Sequence, residues 1–145
     1  MVNRTIVSRF IGDLPLEEGA CRKIAGGPLY PTDEVLALLA ESGAQAVSAW
    51  SNGCHSDMQK WLLDTEDLVD LIEAAVHSGR FLGAEWCIPR PNGPWAACDA
   101  YSLVRREWVA YAHREMDMEY YIKFAIAKTG MLLLVASCHP PKDRG

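Results

Sequence analysis

The sequence predicts a single α+β domain over residues 1–145, with N-terminal helices packed on a C-terminal antiparallel sheet of about four to five strands. Helical periodicity is confined to residues 28–79, whereas residues 80–139 are rich in aromatic and β-branched residues that alternate with period two. A length of 145 residues is also that of one domain. Residues 1–27 are interrupted by glycine and proline and predict an irregular arm.

Two segments of the helical part have clear boundaries. "PTDEVLALLAESG" carries acidic residues in its first turn and ends at Gly43. "DTEDLVDLIEAAVHSG" has one apolar face, a capping residue at Asp64 or Thr65, and Gly79 at its end. Between them, "AQAVSAWSNG" predicts a short helix that ends at its Asn-Gly pair.

Five segments after residue 79 predict strands, and they are "RFLGAEWCI", "WAACDAYSLV", "RREWVAYAHRE", "EYYIKFAIA" and "MLLLVASCH". The last two flank Lys128-Thr129-Gly130, which predicts a hairpin loop with its glycine in the left-handed conformation. Alternation places Tyr121 and Lys123 on an open face of the sheet, opposite a core face that packs on the helices.

Composition limits the classes of function. The formal net charge is −5 and the isoelectric point is near 5.3, which argues against a simple basic clamp for nucleic acid. No apolar run approaches the roughly 18 residues of a membrane span, and no secretory signal is evident. We therefore expect a cytoplasmic protein that does not bind membranes.

The five cysteines are odd in number and form no CxxC pair, which favours reduced, mostly buried thiols. Two less favoured alternatives remain. Cys54-His55 and Cys138-His139, with other cysteines, are candidate zinc ligands, although ligand pairs normally have two to four residues between their members. Cys98 or Cys138 with His113 is a candidate nucleophile pair. We expect no metal and no cofactor.

Polar side chains on the later strands are the candidate site. Cationic side chains can hold a phosphate and stabilise charge in a transition state, and His or Tyr can move a proton. Aromatic residues can stack an unpaired base. Taken alone, each such residue is more often an ordinary surface residue, so the prediction depends on their convergence. The catalytic candidates are His139, His113 and Tyr121, and the substrate-binding candidates are Lys123, Arg105, Arg106, Tyr101, Trp95 and Asp99.

Asp99 has several possible roles, since a carboxylate can cap a turn, orient an arginine such as Arg105, or hold a histidine. Its neighbours in "GPWAACDAY" are mostly small, which allows close approach to the backbone. The last strand carries Cys138 and His139 at its tip. Either these side chains plug the end of the core, or the strand delivers His139 to a site.

Several motifs resemble the MqsR branch of the bacterial RelE-type messenger-RNA interferase toxins. "PLYPTDEVLALLAESG" and "LVDLIEAAVHSG" are similar to the two helical stretches of that family. Trp95, Asp99 and Tyr101 match its tryptophan–aspartate–tyrosine pattern with altered spacing. "YIKFAIAKTGMLLLVASCH" resembles its final hairpin, where His139 replaces a terminal lysine. The resemblance implies that the last strand delivers His139 to the open face, and that Cys138 then points inward and fills the end of the core.

This resemblance covers roughly residues 28–139 and implies a RelE-like, microbial-ribonuclease-like fold. It also implies metal-independent cleavage of messenger RNA, on ribosomes or on free message, and a cognate antitoxin that blocks the site. The leading hypothesis is therefore an endoribonuclease toxin of a toxin–antitoxin system. The alternative is a non-catalytic binding or regulatory protein, either an inactive toxin relative or an immunity-type partner, that uses the aromatic face of the sheet.

Overall fold

Three α-helices and one mixed sheet make up the fold in the computed structural model, which describes residues 3–140 apart from the side chain of Tyr111. The helices are α1 (Thr32–Ser42), α2 (Asn52–Lys60) and α3 (Thr65–Ser78). α3 begins at the predicted cap, where Asp64 and Asp67 each accept a hydrogen bond from the other's backbone N–H. Gly43 and Gly79 end α1 and α3, as predicted.

Six strands form the sheet in the described part of the chain, in the spatial order β1-β3-β4-β5-β6-β2. All neighbours are antiparallel except β2, which runs parallel to β6. The strands are β1 (Lys23–Ile24), β2 (Val47–Ala49), β3 (Arg80–Cys87), β4 (Ala96–Val109), β5 (Arg114–Ile126) and β6 (Leu133–His139). The α+β class is therefore confirmed, with more strands than the four or five expected.

The strand prediction differs from the structure in several places. The second predicted strand and residues 105–109 of the third form one continuous strand, β4, whose pairing with β5 runs without a break from Asp99 to Val109. The strand predicted over residues 110–113 is wrong, because Ala110–Ala112 is a short 3-10 helix and β5 begins at Arg114. The helix predicted for "AQAVSAWSNG" is wrong. Residues 47–49 pair with β6 as β2, and Ser51 caps the next helix by accepting a hydrogen bond from the backbone N–H of Cys54. The Asn-Gly pair thus opens α2 and does not end a helix.

The N-terminal arm contains the short strand β1, and residues 5–9 are also built into the sheet. Val7 N–H donates to the carbonyl of Trp95 over 2.8 Å, and Arg9 N–H donates to that of Ile126 over 2.7 Å. The arm thus fills the gap between the start of β4 and the end of β5. Ser8 is fully buried there and its hydroxyl accepts from the N–H of Ala97.

The helices cover the face of the sheet that carries Ile122 and Phe124, which we call the helix face. Leu68, Leu71 and Ile72 of α3 belong to the same buried cluster as these two strand residues. Helical and period-two spacing therefore bring their apolar sides to one core, as the sequence predicts.

Gly79, which ends α3, lies close to the backbone of β4. A Cβ atom there would lie 2.5 Å from the carbonyl oxygen of Ala75 and 2.8 Å from that of Ser102. We predict that Gly79→Ala lowers the free energy of unfolding by about 1–3 kcal/mol, because both obstacles are backbone atoms. Urea denaturation measures the change, and Gly53→Ala in α2 is the control, since only the Ser51 hydroxyl lies near its added methyl group. An equally stable Gly79→Ala protein would contradict this packing.

Candidate functional site

A groove of about 400 Å³ lies on the open face of the sheet, opposite the helix face. Its floor is low because Gly83 and Ala100 sit opposite each other at its centre. It ends where Cys98 and Ala125, further along the same face, are fully buried. Polar side chains stand around this floor, and they are Lys23, Glu85, Tyr121, Lys123, Ser137 and His139.

A β-bulge in β6 decides which of its side chains reach the groove. Lys123 pairs with Ser137, whereas the next residue, Phe124, pairs with Val135, so Ala136 is the extra residue. This shift reverses the alternation for the rest of the strand. Ser137 and His139 therefore face the groove. Cys138 points into the core and is fully buried, as predicted.

Lys123 is held by an ion pair across the groove floor. Its Nζ lies 2.7 Å from Oε1 of Glu85, and the two side chains are 28% and 35% exposed. Burial alone lowers the pKa of Lys123. Its electrostatic interactions with Cys87 and Glu85 outweigh burial, so the pKa of the ammonium is raised. Lys123 is thus fully charged at neutral pH.

His139 and Tyr121 form the second half of the site. They are opposite each other in the β5–β6 ladder, and their ring centroids are 6.0 Å apart. Nδ1 of His139 lies 2.6 Å from the carbonyl oxygen of Pro140, which requires Nδ1 to carry a proton and donate it. In the neutral ring, Nε2 is then the basic nitrogen, which can accept a proton.

Three of the predicted substrate-binding residues lie in the interior. Trp95 is buried, and its indole N–H donates to the carbonyl of Asn3. The carboxylate of Asp99 accepts from the backbone N–H groups of Leu29 and Tyr30 at 2.9 and 3.0 Å.

Burial raises the pKa of the Asp99 carboxyl, against the effect of its two hydrogen bonds. Of its possible roles, the observed one is therefore that of a turn cap. Tyr101 borders the groove, but its ring is buried and stacked on Phe124 with the centroids 5.9 Å apart. These three residues therefore belong to the protein interior and not to the open groove.

The other predicted residues lie on a two-stranded extension of the sheet, residues 103–109 and 114–120, which we call the distal ribbon. Arg105 contacts Glu107 at 3.3 Å and lies over the ring of Tyr120 on the helix face. Arg106 lies on the opposite face, 3.3 Å from Asp117. His113 is exposed in the turn at the tip, with a left-handed φ of 51°. The structure therefore brings Tyr121, Lys123 and His139 together, and places the arginines and His113 elsewhere.

Glu85 and Lys23 line the groove but are not among the predicted site residues. The sequence pattern could have predicted the position of Glu85, because it is the only acidic residue of its strand and alternation puts it on the same face as Gly83. No sequence pattern predicts the position of Lys23, because its two-residue strand lies in the arm.

Four of the five cysteines are buried thiols, as expected, and Cys21 is exposed. The sulfurs of Cys54 and Cys138 are 3.6 Å apart in the core.

Within residues 3–140, no group of three or more His, Cys, Asp or Glu side chains is arranged to hold a metal ion. In the same range, every helix is too short or too polar to cross a bilayer.

Comparison of the chain with protein-family models, with curated proteins and with solved structures gives no significant match. The likeness to interferase toxins therefore depends on the short motifs quoted above, and the fold and groove geometry are the basis for any functional argument.

The ion pair in the groove yields a stability prediction. We predict that Glu85→Gln and Lys123→Met each lower the free energy of unfolding. The double variant should lose about 0.5–1 kcal/mol less than the sum of the two single losses. This coupling is small because both side chains remain partly solvated. Because the pKa of Lys123 is raised in the folded state, this coupling is fully present below the ordinary lysine pKa of about 10.4 and is lost as the pH rises through the higher folded-state value.

Urea denaturation of the two single variants and the double variant measures that coupling. The matched control is the Arg106–Asp117 pair, whose side chains are 61% and 67% exposed and whose coupling should be smaller. A strictly additive Glu85–Lys123 pair would mean that the contact contributes nothing to stability.

Proposed function

We propose that the protein is a metal-independent endoribonuclease toxin that cleaves messenger RNA and is blocked by a cognate antitoxin. The observation that carries the proposal is the placement of His139, Tyr121 and Lys123 on one groove wall of adjacent strands. Together they offer a proton acceptor, a hydroxyl and a cation, which are the groups that cleavage by a ribose 2′-hydroxyl needs.

The proposed reaction is an intramolecular displacement at phosphorus. Nε2 of His139 accepts the proton of the 2′-hydroxyl, whose oxygen forms a bond to the adjacent phosphorus. The bond to the 5′-oxygen of the next nucleotide breaks, and Tyr121 is placed to donate a proton to that leaving oxygen. Lys123, with Lys23 at the rim of the groove, binds the phosphate and stabilises its charge. The products are a 2′,3′-cyclic phosphate and a 5′-hydroxyl end.

A non-catalytic binding protein is the second candidate, and the Glu85–Lys123 pair is the observation that favours it. The ammonium is already matched by a carboxylate at 2.7 Å, so a phosphate would have to share it with Glu85. The net charge of −5 also opposes RNA at long range. An inactive toxin relative or an immunity-type partner would use the same groove to bind protein.

Removal of the imidazole tests the catalytic proposal. We predict that His139→Ala slows cleavage of single-stranded RNA by purified protein about 10²–10⁴-fold, the usual contribution of a general acid or base. Tyr121→Phe should also slow it, and EDTA should have no effect. His55→Ala, at an exposed histidine on α2, is the control and should cleave normally.

Primer extension and end analysis report the cleavage, and thermal melting confirms that each variant is folded. Folded wild-type protein that leaves RNA intact at all concentrations would exclude the ribonuclease and leave the binding protein. Cleavage that survives in His139→Ala would instead move the chemistry out of this groove.

Glu85→Gln distinguishes the two candidates by binding alone. If Lys123 binds a phosphate, removal of the competing carboxylate should tighten the binding of a short RNA several-fold at low salt. Fluorescence anisotropy with a labelled oligonucleotide measures this, and Asp117→Asn on the distal ribbon is the charge-matched control. Unchanged RNA affinity in Glu85→Gln would favour the binding protein.

A further inference from the structure

We infer that the outer edge of the distal ribbon is a self-association surface, on which β4 of one chain pairs antiparallel with β4 of a second copy. This inference does not depend on the proposed function. It starts from the lengths of the strands. The last residue of β4 that pairs with β3 is Ser102, opposite Arg80, whereas pairing with β5 continues to Val109. Within the described residues, no strand pairs with β4 beyond Ser102 on the side away from β5.

Unpaired strand edges are sites at which another strand can add. Natural proteins often protect them with charged side chains, especially lysine, with proline or with a bulge. Between residues 103 and 109 the β4 edge has no lysine, proline or bulge, and its three charged residues, Arg105, Arg106 and Glu107, include both signs. Val104 and Trp108 on the open face of this edge are also 58% and 63% exposed. The edge therefore offers both backbone groups and apolar surface.

The sequence of this edge is complementary to itself. Residues 103–109 read Leu-Val-Arg-Arg-Glu-Trp-Val. If two copies pair about Arg106, Val104 of each chain faces Trp108 of the other, and Arg105 faces Glu107. Apolar residues then meet apolar residues, and opposite charges meet on the helix face.

The central pair, Arg106 against Arg106 of the second copy, is the one like-charge contact. Each guanidinium already lies near two carboxylates of its own chain, at 3.3 Å from Asp117 and 3.8 Å from Glu115. These carboxylates offset the repulsion. The β5 edge is less suited to a second copy, because Glu115 and Asp117 would bring a row of acidic side chains to the contact.

Such a contact is isologous, with its twofold axis perpendicular to the sheet. The two sheets would join edge to edge, and both grooves would lie on the same face of the combined sheet. A seven-residue strand pair buries less than the standard interface of about 800 Å² per partner. We therefore expect reversible, concentration-dependent dimerisation and not a permanent dimer.

Cysteine cross-linking tests the register directly. Arg106→Cys, made in a Cys21→Ser background, places two thiols opposite each other with Cα atoms roughly 4.5–5.5 Å apart, within disulfide range. The control is Val104→Cys in the same background, where the thiols would be offset by four residues, or roughly 13 Å along the strand. Oxidised glutathione should convert the first variant, but not the second, into a covalent dimer of two 16.1 kDa chains.

Sedimentation velocity from about 10 µM to about 1 mM follows the unmodified protein across the affinity range of weak dimers. Val104→Lys/Trp108→Lys should weaken association tenfold or more, whereas Trp61→Lys, at an exposed tryptophan outside the ribbon, should not change it. Three results would overturn the inference: a monomer at every concentration, equal cross-linking at positions 104 and 106, or a dimer that survives the double lysine variant. Far-UV circular dichroism checks that each variant is folded.

Discussion

The register of β4 against β5 is the constraint on which the rest of the structure depends. Eleven consecutive residue pairs, from Asp99–Phe124 to Val109–Arg114, fix which side chains face the helices and which face the groove. A slip of one residue would exchange the two faces, exposing Ile122 and Phe124 and burying Lys123. Because the apolar residues of β5 occupy one face so completely, burial itself holds the register.

β3 and β6 build on this central pair and give the groove its shape. Each has one bulge, at Leu82 and at Ala136, and each bulge lies beside the groove. The bulge at Leu82 lies next to Gly83, whose φ of 135° is a conformation that glycine adopts readily. Because Gly83 has no side chain, the floor of the groove is low there. The bulge at Ala136 turns His139 outward and Cys138 inward. The groove is thus a product of two local departures from regular pairing, held in place by an uninterrupted ladder between them.

Much of this could be predicted from the sequence, because the signals were local. Alternation in "EYYIKFAIA" assigned Tyr121 and Lys123 to the open face, and the Asp64 cap and Gly79 set the bounds of α3. Contacts between residues that are far apart in the sequence had no local pattern from which they could be predicted. β2 is a strand because it pairs with β6, more than 80 residues later in the chain, and nothing within "AQAVSAWSNG" reports that pairing. The Asp99 contact with Leu29 and Tyr30 is equally non-local, which explains why a structural carboxylate looked like a site residue.

The same distinction between local and global properties applies to charge. The whole chain is acidic, but its acidic residues are unevenly placed: Glu115 and Asp117 lie on the distal ribbon, and Asp64 and Asp67 lie at the start of α3. The groove carries two lysines and one glutamate. Since exposed charges farther away than about 8–10 Å are largely screened at physiological salt, a bound anion would respond mainly to the groove. Net charge therefore affects the rate at which an anion associates with the protein. The balance between Lys123 and Glu85 determines the affinity of the groove for that anion.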